Sequence, residues 1–172
     1  QSLKISRELP TFFRDSLLSF ISHFQVDRAS VWIHDREQKE LWTLFVAEDG
    51  STSYFSIGDD SGLAGHSFTK GTTVNVPDSY MDERFNMQVD KETGYRTKSV
   101  LCIPIVDEHG VEGVLQLLNK MDSPKDSRSG AAPGIVPFSD ADVHKADECM
   151  WQTSLLVKQL RRRYTNPDRN LR

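Results

Sequence analysis

The sequence is short of cysteine, of long apolar runs and of excess positive charge, and each shortage removes a class of function. Two cysteines, Cys102 and Cys149, occur in 172 residues, too few for a disulfide framework and wrongly spaced for a metal or redox motif. Cys102 lies in the apolar run Val100-Leu101-Cys102-Ile103 and reads as a small buried hydrophobe. A reducing, cytoplasmic compartment fits this usage. No stretch approaches the ~20 apolar residues that span a bilayer. The amino-terminal residues lack the basic, apolar and small-residue order of a secretory signal. With Gln1 where an initiator methionine would stand, the chain is expected to be part of a longer protein. The 25 acidic residues outnumber the 21 basic ones, for a net charge of -4. A nucleic-acid binder is usually basic, and the one cationic cluster, Arg161-Arg162-Arg163, reads as a solvated helix end.

Catalytic signatures are equally scarce. The five histidines, His23, His34, His66, His109 and His144, are scattered singly, and none pairs with an acid or cysteine at metal-ligand spacing. There is no phosphate-binding Walker loop and no Ser or Cys nucleophile elbow. The expectation is therefore a protein that is not an enzyme, with no metal and no cofactor.

What is present is a pattern of alternating elements. Phe12, Phe13, Leu17, Phe20, Ile21 and Phe24 recur at helical spacing across residues 9–24, with Pro10 suited to a first turn. Asp27-Arg28 reads as a turn. Residues 29–34 and 41–47 read as a hairpin about the polar turn 35–39, with a third strand at 54–57. Ser61 is placed to cap a short helix to residue 70. Gly62 and Gly65 inside it imply close packing, and Gly71 is a stop. A short strand at 72–76 precedes a mixed polar stretch, 79–98, read as a long loop with one or two short helices. Residues 99–106 and 111–118 are apolar almost throughout, as expected of central strands covered on both faces. Residues 121–137 read as a solvated or disordered insertion. From 140 to 163 the periodicity predicts one long helix, capped by Ser139 or Asp140 and carrying the apolar stripe Val143, Ala146, Met150, Val157 and Leu160. The fold expected is α+β, an α/β sandwich over residues 1–172: a central antiparallel sheet, the terminal helices on one face, and loops closing a pocket on the other. Residues 164–172 are read as a flexible tail.

Several stretches then read together. Asn75-Val76-Pro77-Asp78-Ser79-Tyr80 is followed by Glu83-Arg84-Phe85-Asn86, by Val89-Asp90, and by Thr93-Gly94-Tyr95-Arg96-Thr97. Val100-Leu101-Cys102-Ile103-Pro104-Ile105 follows directly, and the strand after that ends in Leu117-Leu118-Asn119-Lys120. In this order the residues resemble a GAF domain, most similar to the regulatory GAF domains of cyclic-nucleotide phosphodiesterases and to related modules of cyanobacterial adenylyl cyclases. The family motif of Asn-Lys, then Phe, then Asp-Glu is matched by Asn119, Lys120, Phe138 and Asp142, with Val143 where the family has Glu. The resemblance implies a Lys120–Asp142 ion pair as a structural clamp near the pocket.

The resemblance also implies a ligand, a 3′,5′-cyclic nucleotide held without catalysis. By correspondence, Leu63, Ala64 and Gly65 would present backbone N–H groups and pocket lining, and Asp90, Thr93 and Thr97 would lie at the ligand, Thr97 as a direct hydrogen bond. Asn86 would sit near the phosphate. Phe45 would stack on the purine, and Ser30 and Gln116 would offer polar contacts from the first and last strands. No acid follows Phe45, where Val46 and Ala47 stand, so the guanine donors lack a carboxylate and cAMP is preferred over cGMP. The implied parent is a homodimeric phosphodiesterase whose C-terminal catalytic domain this chain regulates allosterically. Competing readings are a bilin sensor, for which the Cys-His dipeptide is missing; a haem sensor, with His66 as axial ligand; and a ligand-free dimerisation or interaction module built on the terminal helices.

Overall fold

The computed structural model describes residues 3–5, 11–46, 52–124 and 132–164. Helix α1 (Thr11–Phe24) buries Phe13, Phe20 and Phe24. It ends at Gln25, whose φ of 49° reverses the chain. The turn expected at Asp27-Arg28 is thus displaced toward the helix, because Val26 is fully buried and already pairs with Lys120. Strand β2 (Val26–Asp35) and β3 (Glu40–Val46) form the expected hairpin. Its turn is fixed where the Asp35 carboxylate accepts the N–H groups of Glu37 and Gln38. Strand β4 (Thr52–Gly58) follows, and an additional short strand, β1 (Leu3–Ile5), pairs with it.

Helix α2 (Gly62–Lys70) comes next, stopped by Gly71 in the left-handed region at φ 62°. Gly65 is required by contact: a Cβ there would lie 2.4 Å from the Asp60 carbonyl carbon. Strand β5 (Val74–Val76), a 3-10 turn (Ser79–Met81) and helix α3 (Gln88–Thr93) lead to β6 (Val100–Asp107) and β7 (Gly110–Met121). The sheet order is β1-β4-β3-β2-β7-β6-β5, and every pairing is antiparallel.

Two expectations are corrected. The stretch 121–137 is not wholly solvated: Met121 is buried at the end of β7, and β8 (Ile135–Val136) pairs with Lys120 and Met121. The insertion's centre, 125–131, lies outside the described residues, as does the tail from 165. The long carboxy-terminal helix is also two helices, α4 (Asp140–Glu148) and α5 (Met150–Tyr164). They part at Cys149, where φ -86° and ψ 2° leave the helical basin. The break redirects the chain so that Ala146 before it and Leu156, Val157 and Leu160 after it all reach one core. Ser139 caps α4 as expected, in a reciprocal capping box with Asp142.

Each face of the sheet has its own cover. On one face α1, α4 and α5 close over Val31, Ile33, Trp42, Leu101, Ile103, Leu115 and Leu117. On the other, α2 and the segment around α3 cover Trp32, Leu41, Val100, Cys102 and Val114. A cavity lies under the second cover.

Candidate functional site

Strand alternation puts Arg28, Ser30 and Trp32 of β2 on one face, and β7 places Gln116 directly across from Ser30. These side chains form the floor of a cavity of about 100 Å³. The roof comes from the first turn of α2 (Ser61, Gly62, Leu63, Ala64), from Phe85 and Asn86, and from Val89, Asp90 and Thr93 of α3. Phe55, Ile57, Tyr95, Thr97 and Leu118 complete the wall. Eight of the ten residues expected at a ligand site therefore meet here: Ser30, Leu63, Ala64, Asn86, Asp90, Thr93, Thr97 and Gln116. Gly65 stands behind the lining, its N–H donated to the Ser61 carbonyl at 2.9 Å. The backbone of Phe45 pairs with Ser53; its side chain lies outside the described residues.

Asp90 and Thr97 are bonded first to each other. The Thr97 hydroxyl donates to Asp90 Oδ1 at 2.7 Å, and the Thr97 N–H donates to Oδ2 at 2.8 Å. The Tyr80 hydroxyl also donates to Oδ2, at 2.9 Å, and that bond raises the Tyr80 pKa. The Arg96 guanidinium sits 3.6 Å over the Tyr80 ring. This clamp fastens α3 to the entry of β6, so the two residues shape the cavity wall through a bond that α3 cannot easily leave. Thr93 donates its hydroxyl to the Val89 carbonyl at 2.8 Å, inside its own helix. Asn86 accepts the Gln88 N–H at 2.9 Å.

A second clamp holds the other end of the roof. Asn119, in the left-handed region at φ 59°, donates its amide to the Tyr95 hydroxyl and the Arg96 carbonyl and accepts the Lys98 N–H. The Tyr95 hydroxyl in turn donates to Asp27 at 2.6 Å; burial first, and this carboxylate second, push its pKa well up. Next to Asn119, the Lys120 ammonium reaches Asp142 Oδ1 at 2.9 Å and the Phe24 carbonyl at 2.7 Å. The expected Lys120–Asp142 pair is thus present and joins β7, α1 and α4. Burial pushes the Asp142 carboxyl up, but the Ser139 N–H and Lys120 outweigh it and hold it below the usual carboxylate range. Phe138 is buried, and its carbonyl accepts the Asn75 amide at 3.1 Å.

Two features of the cavity favour an anion, against the Asp90 carboxylate that also lines it. Among the described residues Arg28 is the one cation in its lining, with its guanidinium 3.7 Å from the centre of the Tyr95 ring. The first turn of α2 faces the same space. Ser61 takes the N-cap position without a side-chain capping bond, so the orphan N–H groups of that turn keep their capacity for an acceptor. No group of three or more His, Cys, Asp or Glu capable of holding a metal occurs among the described residues. A more open cleft of about 390 Å³ lies beside α5. Its buried carboxylate, Glu112, is already held by Arg36 at 3.0 Å and Arg161 at 2.7 Å, so that cleft is better understood as the tie between α5 and the sheet.

The GAF domain family model matches residues 8–150. The chain belongs to the GAF domain family. This GAF domain is 56% identical over 63 residues to the dual 3′,5′-cyclic-AMP and -GMP phosphodiesterase 11 of Drosophila melanogaster, covering 36% of the chain and 4% of that protein. It is 34% identical over 107 residues to the probable 3′,5′-cyclic phosphodiesterase pde-5 of Caenorhabditis elegans, covering 56% of the chain and 15% of that protein. The chain thus spans a small fraction of the relatives it matches. Among solved structures, the GAF domain of a Coxiella burnetii phosphoenolpyruvate-protein phosphotransferase aligns over 86% of the chain and 81% of its own, at TM-score 0.65 and 13% identity. The free methionine-R-sulfoxide reductase of Thermoplasma acidophilum aligns over 87% and 92%, at TM-score 0.62 and 12% identity. At such identities these likenesses establish the GAF fold alone. Among the described residues, no helix is long and apolar enough to cross a membrane.

Sequence reasoning missed much of the aromatic and cationic lining. Trp32 and Phe55 read only as strand residues and Tyr95 only as part of the motif stretch, and Arg28 fell in a supposed turn. The signal for Arg28 was available: it is two residues before Ser30, on the same face of a strand that starts at Val26.

Proposed function

We propose that this GAF domain is a non-catalytic regulatory module that binds a 3′,5′-cyclic nucleotide, with cAMP preferred over cGMP. The observation carrying the reading is the cavity. One sheet face, the amino-terminal turn of α2, and the Asp90 and Tyr95 segments enclose a space with a polar floor and, among the described residues, a single lining cation. A cyclic phosphate carries one negative charge, and a helix start with a nearby arginine is suited to it. The purine would lie among Trp32, Phe55 and Leu118, within reach of Ser30 and Gln116. Small-molecule sites typically offer ~300–1,000 Å³, more than the roughly 100 Å³ enclosed here. Binding therefore requires the roof to move outward, and that movement is what a parent protein would sense. The similarity to cyclic-nucleotide phosphodiesterases supports an attached phosphodiesterase catalytic domain, carboxy-terminal to this chain, as the regulated partner; we take the parent to be a cytoplasmic homodimer.

Calorimetric titration of the purified, nucleotide-stripped chain tests the reading. The expected result is stoichiometric cAMP binding, cGMP at least ~10-fold weaker, equivalent to about 1.4 kcal/mol, and loss of affinity on Thr97→Ala. A second reading, a ligand-free dimerisation module, is favoured by the exposed Trp151 and Leu155 one helical turn apart on α5. Absence of heat and of any thermal shift with both nucleotides, together with a dimer in sedimentation, would replace the first reading by the second.

A further inference from the structure

We propose, on the cyclic-nucleotide reading above, that Tyr95 is a positioning residue: its ring holds the Arg28 guanidinium at the cavity for an anionic ligand, and Asn119 acts through Tyr95 by fixing that ring.

Arg28 is exposed on β2 and lines the cavity. An exposed arginine ordinarily samples many rotamers, and a ligand that needs its guanidinium in one place must first order it. Here the guanidinium carbon already lies over the Tyr95 ring, 3.7 Å from its centre, the arrangement of a planar cation stacked on an aromatic face. A stacked guanidinium keeps its N–H donors in its own plane, directed away from the ring. Stacking on Tyr95 and hydrogen bonding to an anion are therefore compatible.

Such a shelf is useful only if it stays in place. Tyr95 is half-buried, and its hydroxyl is held from two strands. It donates to Asp27 Oδ2 of β2 at 2.6 Å and accepts from the Asn119 amide of β7 at 2.8 Å. The first bond is charge-assisted and correspondingly short. Burial and the Asp27 carboxylate raise the Tyr95 pKa, so the hydroxyl keeps its proton and remains a donor near neutral pH.

Asn119 is itself fixed. It is 4% exposed, and both hydrogens of its amide are committed, to the Tyr95 hydroxyl and to the Arg96 carbonyl at 2.9 Å, while its oxygen accepts the Lys98 N–H at 2.7 Å. Turning the amide over would set its NH₂ against the Lys98 N–H and its oxygen against the Arg96 carbonyl, a costly arrangement in a buried place. Asn119 therefore has one orientation, and in it the Tyr95 ring is held. The next residue, Lys120, ties β7 to α1 and α4. The Asn-Lys pair thus serves the cavity with its first side chain and the frame with its second.

Tyr95 also lines the cavity, so a direct contact with the ligand is the rival role, and a double-mutant cycle with Arg28 separates the two. cAMP is titrated at several salt concentrations into wild type, Tyr95→Leu, Tyr95→Phe, Arg28→Ala and the two double variants, each first shown to be folded by circular dichroism. The expected result is a loss of ~6-fold for Tyr95→Leu when Arg28 is present and under ~2-fold when it is alanine. The salt dependence of affinity in Tyr95→Leu should fall toward that of Arg28→Ala. Tyr95→Phe keeps the ring and drops both hydroxyl bonds, and its loss should be ~3-fold, again confined to the background that has Arg28. Where Tyr95→Leu does not fold, Tyr95→Phe decides the matter by the same comparison. Losses equal in the two backgrounds with an unchanged salt dependence, or no loss at all, would overturn the role of Tyr95 while leaving the nucleotide site standing. Wild type that binds no cyclic nucleotide overturns that role and the reading beneath it together.

Discussion

Leu117 and Leu118 are the same side chain on consecutive residues of β7, yet they belong to different parts of the molecule. Leu117 is fully buried among the aromatic and aliphatic residues under α1, α4 and α5. Leu118 points the other way, half-buried at the wall of the cavity. The helix-covered face is the larger core. The cavity face mixes Leu, Val and Ala with Ser30, Gln116, Asp90 and Thr97. One sheet thus divides its faces by alternation: one set of side chains packs a closed core and the other lines a partly polar cavity. Leu117→Ala is expected to cost about 3–4 kcal/mol in denaturant unfolding, as deletions in closed cores do. Leu118→Ala should cost about 1 kcal/mol and show itself mainly in nucleotide affinity. Equal losses at the two sites would break the division between the faces.

The next effect joins the two faces at their edge. Lys120→Ala removes the cation from a pair whose side chains are 14% and 12% exposed and strands Asp142, at a cost of about 3 kcal/mol near neutral pH. The pH dependence has a definite sign. Asp142 is held below its ordinary value in the folded protein, so it adds stability above the unfolded carboxylate pKa near ~3.9 and loses that contribution as the pH falls through the folded value. Removing Lys120 lifts one of the influences that hold it down. The stability gap between wild type and Lys120→Ala should therefore be widest at neutral pH and narrow in acid. A gap that widens in acid would show that the pair is not what holds α4.

Asp90→Asn comes third. It keeps the shape but turns one of two accepting oxygens into a donor facing Thr97 or Tyr80, so about 1–2 kcal/mol of stability should be lost. Hydrogen exchange should quicken in α3 and at Thr97 while β7 stays protected. Exchange that quickens evenly over both faces would deny the clamp its local role.

Most of the frame was legible because it rests on periodicity. The buried stripes of α1 and the apolar β6 and β7 can only be core, and the Asn119-Lys120-Phe138-Asp142 motif announced the clamp that the structure contains. Other features depend on tertiary context. Cys149 breaks a helix whose apolar stripe continues on both sides, because packing against the sheet overrides local preference. The pairing of Ile135–Val136 with the end of β7 is a contact between segments that no local pattern links. The mutual bond of Asp90 and Thr97 was equally hidden: a motif names the residues at a site but not whether they face the ligand or each other.

Arg28 gives the smallest stability effect and isolates the cavity face most cleanly. It is exposed, and its guanidinium lies on the Tyr95 ring, a contact worth ~0.5–1 kcal/mol at such sites. Tyr95 keeps its bonds to Asp27 and Asn119 without it. Arg28→Ala should therefore leave thermal unfolding within about 0.5 kcal/mol of wild type. Affinity should respond differently, because Arg28 is the one cation in the lining among the described residues and the proposed ligand is an anion. A fall of roughly 10-fold, about 1.4 kcal/mol, is expected, with a weaker salt dependence of binding in the variant than in wild type. Arg28→Lys should recover part of the affinity, since charge returns without the planar group that stacks on Tyr95. If affinity and its salt dependence are unchanged in Arg28→Ala, the phosphate is held by the first turn of α2 alone, and the charge on the cavity face serves only to keep Tyr95 in place.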